Sequence, residues 1–99
     1  MNMNNLMAQA QRMQKDIERK QQEIYGTEYT GSSELVDVVL TGDKKLKSVK
    51  FKKMENFDAD DLDILEDMVK IAFNDAVKKI ERDIESKLGM YGKQLGGLI

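Results

Sequence analysis

Apolar residues along this 99-residue chain change their period twice, from alternating threes and fours to twos and back to a helical repeat, and no single element type can absorb all three regimes. In the first segment they fall at Met3, Leu6, Ala10, Met13, Ile17 and Ile24, missing a beat only at Lys20. That is a heptad seam. It predicts a helix over about 5–24, with Asn4 or Asn5 accepting the cap hydrogen bond and Gly26 ending the helix in a left-handed conformation. A seam this narrow suits one partner helix better than a broad core, so the helix should project from the body of the domain.

From Tyr25 to Lys53 the period drops to two: Val36, Val38 and Leu40 face one way, Leu35, Asp37 and Val39 the other. Three strands are predicted, near 25–31, 34–41 and 45–53, with Gly31-Ser32-Ser33 separating the first two and Gly42-Asp43 turning the second into the third. Such a meander is marginal unless one face is covered, and the last segment can cover it. There a helix opens at the N-cap Asp58 and carries Asp60, Asp61 and Asp63 early and Lys78, Lys79, Arg82 and Lys87 late, the order the helix dipole favours, before stopping at Gly89.

The first half of this helix is apolar on two adjoining faces, Leu62, Leu65, Val69, Ala72, Phe73 and Ala76 on one and Ile64, Met68 and Ile71 on the other. After Asp75 the stripe narrows to Val77, Ile80, Ile84 and Leu88. The wide half is expected on the sheet, and the narrow half is expected to leave it and pair with the first helix in a two-helix projection. Ile64, Met68 and Ile71 are the expected dimer contact, beside the exposed sheet edge. The fold class is therefore α+β: a helix, a three-stranded antiparallel meander and a long helix (α-β-β-β-α), in one domain over 1–99 with 89–99 as a short flexible tail.

A chain this short buries a limited core, and dimerisation would extend it. Cys and His are both absent, which removes disulfides, thiolate nucleophiles, imidazole bases and the commonest metal ligand. The polar N-terminus lacks the pattern of a secretory signal, and no segment approaches the roughly 20 apolar residues of a membrane span, so a cytoplasmic protein with no membrane partner is expected. A formal net charge of -2 excludes coating nucleic acid by bulk charge alone; any such binding must use local basic patches.

Two motifs fail on inspection. Asp58-Ala59-Asp60-Asp61-Leu62-Asp63 suggests a calcium loop, but Leu62, Asp63 and Val69 stand where an EF-hand needs an oxygen ligand, Gly and Glu, and the acids read as a helix cap. In Gly89-Met90-Tyr91-Gly92-Lys93-Gln94 the first Gly is too close to Lys93 for a phosphate loop, Gln94 replaces the Ser or Thr, and no strand precedes it. With no nucleophile and base to pair, the chain is not expected to be an enzyme or to hold a metal, cofactor or small-molecule substrate.

Basic residues gather twice. Lys44, Lys45, Lys47, Lys50, Lys52 and Lys53 lie on the third strand and the turn before it, where lysine usually guards an edge against aggregation. Arg12, Lys15 and Arg19 lie outside the seam of the first helix, and Lys78, Lys79, Arg82 and Lys87 on the late turns of the last, interspersed with Glu18, Glu81, Asp83 and Glu85. By period alone this projection reads as a solvated coiled coil. Its bases can also bracket the phosphates of a duplex; without aromatic interleaving or a helix-turn-helix pattern, duplex backbone and shape would be the target. A competing reading makes Met3, Met7 and Met13 the adaptable surface of a non-enzymatic adaptor that grips a partner polypeptide.

The opening Asn5-Leu6-Met7-Ala8-Gln9-Ala10-Gln11-Arg12-Met13-Gln14 resembles the start of the YbaB/EbfC nucleoid-associated proteins. Leu35-Val36-Asp37-Val38, Gly42 and Leu46-Lys47-Ser48-Val49-Lys50 are similar to that family's strand signatures, and Leu65-Glu66-Asp67-Met68-Val69 with Ala72-Phe73-Asn74-Asp75-Ala76 to its helix signature, so the resemblance spans roughly 5–88. Glu34 departs from the Gly of many members, and Gly96-Gly97-Leu98-Ile99 from their Pro-containing tail. The resemblance implies an α+β homodimer with tweezer-like helical arms that binds double-stranded DNA in the nucleoid, and it favours DNA contact by Arg12, Lys15, Arg19, Lys78, Lys79, Arg82 and Lys87.

Overall fold

The structure, a computed structural model, describes residues 2–92. It contains α1 (Met3–Tyr25), β1 (Glu28–Ser32), β2 (Val36–Thr41), β3 (Leu46–Phe51) and α2 (Leu62–Leu88), with 3-10 turns at Ala59–Asp61 and Gly89–Tyr91. The fold is α+β, and the α-β-β-β-α order is the one the changes of period predict. Helix α1 starts two residues earlier than expected because Asn2, not Asn4 or Asn5, is the cap, its side-chain oxygen accepting from the Asn5 N–H at 2.9 Å. At the other end Gly26 stays right-handed at φ -84°. The carbonyls left open there are closed by the Gly26 N–H to Gln22 O at 3.0 Å and by the Thr27 hydroxyl to Glu23 O at 2.6 Å.

The strands form one antiparallel sheet in the order β1-β2-β3. On β2, Val36, Val38 and Leu40 are buried against α2, while Asp37, Val39 and Thr41 on the other face are half-buried, the alternation the sequence predicts. Gly31 sits inside β1 and is not part of a turn. A Cβ there would lie 1.9 Å from Ala72 O and 2.6 Å from Ala76 N, so glycine is needed for close approach of helix to strand. Gly42 plays the same part against α1, where a Cβ would lie 1.9 Å from Ile24 O; the left-handed residue of that turn is Lys44, φ 64°.

Helix α2 lies over the sheet with its C-terminal half. The Ser32 N–H donates to the Asp75 carboxylate at 3.0 Å, Lys79 Nζ to Thr30 O at 2.6 Å, and the Tyr29 hydroxyl to Asp83 at 2.5 Å. Ala72, Ala76, Ile80, Ile84 and Leu88, each four residues from the next, are all buried. Burying a side chain the size of Ile80 or Leu88 contributes roughly 1.5–3 kcal/mol. Ala72 and Ala76 of the wide stripe lie against β1 as expected, but the narrow late stripe does not leave the body of the domain: Ile80, Ile84 and Leu88 stay buried in the same core. The wide early half keeps Leu65, Met68 and Val69 against the core but leaves Leu62 and Ile64 half exposed.

Helix α1 meets α2 only near its C-terminus, where Ile24 is buried and Ile17 packs on the core. Its seam then runs out of partners, and Met3 and Leu6 are 71% and 47% exposed. The projection is thus the outer half of α1 alone among the described residues, not the two-helix arm expected. Helices of roughly 34 and 40 Å, at about 1.5 Å per residue, overlap only at their ends. The molecule accordingly extends over 72 × 20 × 15 Å.

Candidate nucleic-acid interface

The seven bases singled out from the sequence fall in two groups, on either side of the junction between the helices. Arg12 and Lys15 project from the outer half of α1, exposed and without an ion-pair partner among the described residues. Beside them Gln11, Gln14, Lys15 and Glu18 line a shallow groove of about 400 Å³. Lys78, Lys79 and Arg82 stand on α2 where the sheet backs it, so they are held on a rigid support and not on a projecting arm. Lys78 and Arg82 have no ion-pair partner among the described residues, whereas Lys79 is 3.6 Å from Asp75, Lys87 is 3.0 Å from Asp83, and Arg19 grips Asp16 at 2.6 Å and Glu23 at 3.4 Å. Exposed pairs such as those of Arg19 are worth no more than about 1 kcal/mol, so Arg19 can be redirected to a phosphate at little cost, whereas Lys79 also donates to Thr30 O and Lys87 is half-buried beside Asp83.

The junction itself is a cluster the sequence reading missed. Tyr91, in the segment expected to be a flexible tail, lies in the 3-10 turn after α2 and donates to Asp16 at 2.7 Å. The remainder of that tail, 93–99, lies outside the described residues. Lys20 approaches Asp16 at 3.2 Å and lies 5.7 Å from the centre of the Tyr91 ring. The Tyr91 hydroxyl first, then Arg19 and Lys20, hold the Asp16 carboxyl down at about 2, and the Tyr91 hydroxyl is pushed up in return. A depressed carboxylate contributes stability above its ordinary value of 3.8 and loses it as pH falls towards 2. An NMR titration of the Asp16 carboxyl carbon should therefore give a midpoint near 2 in the native chain and a clearly higher one in Tyr91→Phe; an unchanged midpoint would mean that the hydroxyl does not hold Asp16. Asp16 and Tyr91 lie 75 positions apart, so no local pattern joins them.

A similar pair braces α2 to the sheet. Burial pushes the Tyr29 hydroxyl up to about 12, reinforced by its bond to Asp83. Burial acts to raise Asp83 too, but the Tyr29 hydroxyl and the Lys87 ammonium outweigh it and hold the carboxyl below its usual range.

The Lys-rich strand is largely matched within the chain: Lys47 pairs with Glu28, Lys45 with Asp43 at 3.6 Å, Lys52 with Asp37 at 3.6 Å and Lys44 with Glu81 at 3.9 Å. Of the residues expected at a dimer contact, Ile64 and Ile71 are exposed and Met68 is half-buried against the core. Met3 and Met7 are exposed and Met13 is half-buried. Among the described residues no group of three or more acidic side chains is placed to hold a metal ion, and no helix is long and apolar enough to cross a membrane.

The fold and its charges define a small α+β protein that presents cations along helices and not in a pocket. The chain belongs to the YbaB/EbfC DNA-binding family, whose profile matches residues 1–95. It is 45% identical over 97 residues to a nucleoid-associated protein of Streptococcus suis, covering 96% of this chain and 97% of that protein. It is 40% identical over 97 residues to one of Streptococcus pyogenes serotype M1, with the same coverage, and 37% identical over 100 residues to one of Ligilactobacillus salivarius, covering 99% of this chain and 95% of that protein. The family is described as DNA-binding, and these relatives are named nucleoid-associated proteins.

Proposed function

We propose that the protein binds double-stranded DNA in the nucleoid as a homodimer, through the backbone and with little sequence preference, using Arg12, Lys15, Arg19, Lys78, Lys79, Arg82 and Lys87 of both protomers. The observation that carries this reading is membership of a DNA-binding family over nearly the whole chain. The exposed positions of Arg12, Lys15, Lys78 and Arg82, none spent on an ion pair among the described residues, support it. Cations on helices answer phosphates, and a dimer doubles them while the net charge of the chain stays negative. Ile64 and Ile71 support self-association, because an exposed apolar stripe on a small domain is a contact surface waiting for an occupant.

The test is a gel-shift titration on random-sequence duplex at several salt concentrations, with the oligomeric state followed by sedimentation. If about six phosphates are neutralised, affinity falls roughly a thousandfold between about 50 and 200 mM salt. A missing shift at the lower salt would overturn the reading. The exposed Met3, Leu6 and Met7 would then favour an adaptor that grips a partner polypeptide. A monomer at micromolar concentration would remove the two-sided geometry.

A further inference from the structure

Helix α1 is held to the body of the domain at two levels. Its C-terminal end is seated at Ile24, buried in the core and closely approached by Gly42. About two turns earlier, roughly 12 Å along the axis, Asp16 accepts from the Tyr91 hydroxyl at 2.7 Å. Lys20 closes the same junction, 3.2 Å from Asp16 and 5.7 Å from the centre of the Tyr91 ring. Ahead of Asp16 the helix runs into solvent: Met3, Leu6, Met7, Arg12 and Lys15 are all exposed.

A rod held at one point pivots; held at two, it has a direction. Ile17 packs on the core at the level of Asp16, but apolar contact has no preferred direction, whereas the hydrogen bond from Tyr91 to Asp16 has one. A swing of about 10° about Ile24 would carry the backbone at Arg12, roughly 18 Å away, by about 3 Å, the length of a hydrogen bond. Phosphate contact by Arg12 and Lys15 is therefore sensitive to the angle of α1. Tyr91 lies in the turn that directly follows α2, so its bond ties α1 to the helix that carries Lys78 and Arg82.

We propose that the Tyr91 hydroxyl and the Asp16 carboxylate form a latch that fixes the angle between α1 and α2, and so positions Arg12 and Lys15 together with Lys78 and Arg82 for one duplex. Asp16 is a positioning residue. As an anion beside Arg19 and Lys20 it would by charge alone oppose a phosphate, so its contribution to binding is the direction of the arm. This rests on the duplex binding of the proposed function and deepens it by naming what aims the cations.

Three variants decide it: Tyr91→Phe, Asp16→Ala and Asp16→Asn. The last two remove the same charge, but only asparagine keeps an acceptor for the Tyr91 hydroxyl. The chain has no cysteine, so Asn5→Cys and Ser86→Cys place one spin label on the arm and one on α2, and dilution with unlabelled protein isolates the distance within a protomer. That distance should be narrowly distributed in the wild type and in Asp16→Asn, and broadened or shifted by more than about 3 Å in Tyr91→Phe and Asp16→Ala, the scale of the swing above. If about a third of released arms point correctly at any moment, two arms together lower affinity for random-sequence duplex at low salt about tenfold, while Asp16→Asn binds at least as tightly as the wild type. Circular dichroism should show all three folded, with Asp16→Ala no less helical than the wild type because alanine is the best helix former. If Asp16→Ala binds duplex as tightly as Asp16→Asn, charge alone matters and the inference fails. Wild-type distances in Tyr91→Phe overturn it as well, as does a released arm that binds with wild-type affinity. A wild type that shifts no duplex sinks the proposed function and with it the role of the arm, while the distances still decide whether the latch exists.

Discussion

Gly31→Ala should lower the melting temperature by more than about 15 °C or leave no folded protein, although it adds only one methyl group to a strand. The added carbon would sit 1.9 Å from Ala72 O and 2.6 Å from Ala76 N. Neither atom can move aside alone, since both belong to the backbone of α2. Relief requires lifting the helix off β1, which also stretches the Asp75 bond to the Ser32 N–H and the Lys79 bond to Thr30 O. Overpacking a tight core costs typically 1–3 kcal/mol and more where backbone must move, and each 1 kcal/mol shifts the melting point of a domain this size by roughly 4–8 °C. Gly26→Ala is the control. The nearest atom to a Cβ there is Gln22 O at 3.4 Å and the backbone is right-handed, so the change should be neutral or slightly stabilising. Thermal melts followed by circular dichroism separate the two; comparable melts would show that α2 does not approach β1 this closely.

Reversing the unpaired cations should have the larger functional effect. With Lys78→Glu and Arg82→Glu, a dimer loses four cations and gains four anions on α2, and random-sequence duplex affinity at low salt should fall by at least about a hundredfold with a shallower salt slope. Lys79 is left in place because it anchors α2 to Thr30. Arg12→Glu with Lys15→Glu tests the α1 arm in the same way, and both positions are exposed with no ion pair among the described residues. Sedimentation should show an oligomeric state unchanged from the wild type in both cases. If one pair abolishes binding and the other leaves it intact, the site lies on that helix alone, and if neither matters it lies on neither helix.

The elements themselves were legible because each is written in local spacing. The seam from Met3 to Ile24, the alternation at Val36, Val38 and Leu40, and the acid-first, base-last order from Asp58 to Lys87 each need only neighbours in sequence to be read. Turn and cap chemistry was less legible. Gly26, Gly31 and Gly42 look alike in sequence, yet Gly26 closes a helix in a right-handed conformation, and Gly31 and Gly42 make room for Ala72 and Ile24. Periodicity also located the apolar faces of α2 without saying what would cover them. A wide stripe at Leu62, Ile64 and Phe73 reads the same whether its cover is the chain's own sheet or another copy.

Sequence alone fixed which residues are helical or extended, which face of each element is apolar, and where the bases cluster, since these follow from interactions within a few residues. Only the tertiary structure decided that the late half of α2 lies on the sheet, that α1 projects alone among the described residues, and that Tyr91 holds Asp16. All three depend on contacts between residues far apart in the chain: the seat of α2 on β1 is set by the missing side chain at Gly31 against Ala72 and Ala76, more than 40 residues away, and the hold on Asp16 by a hydroxyl 75 positions on.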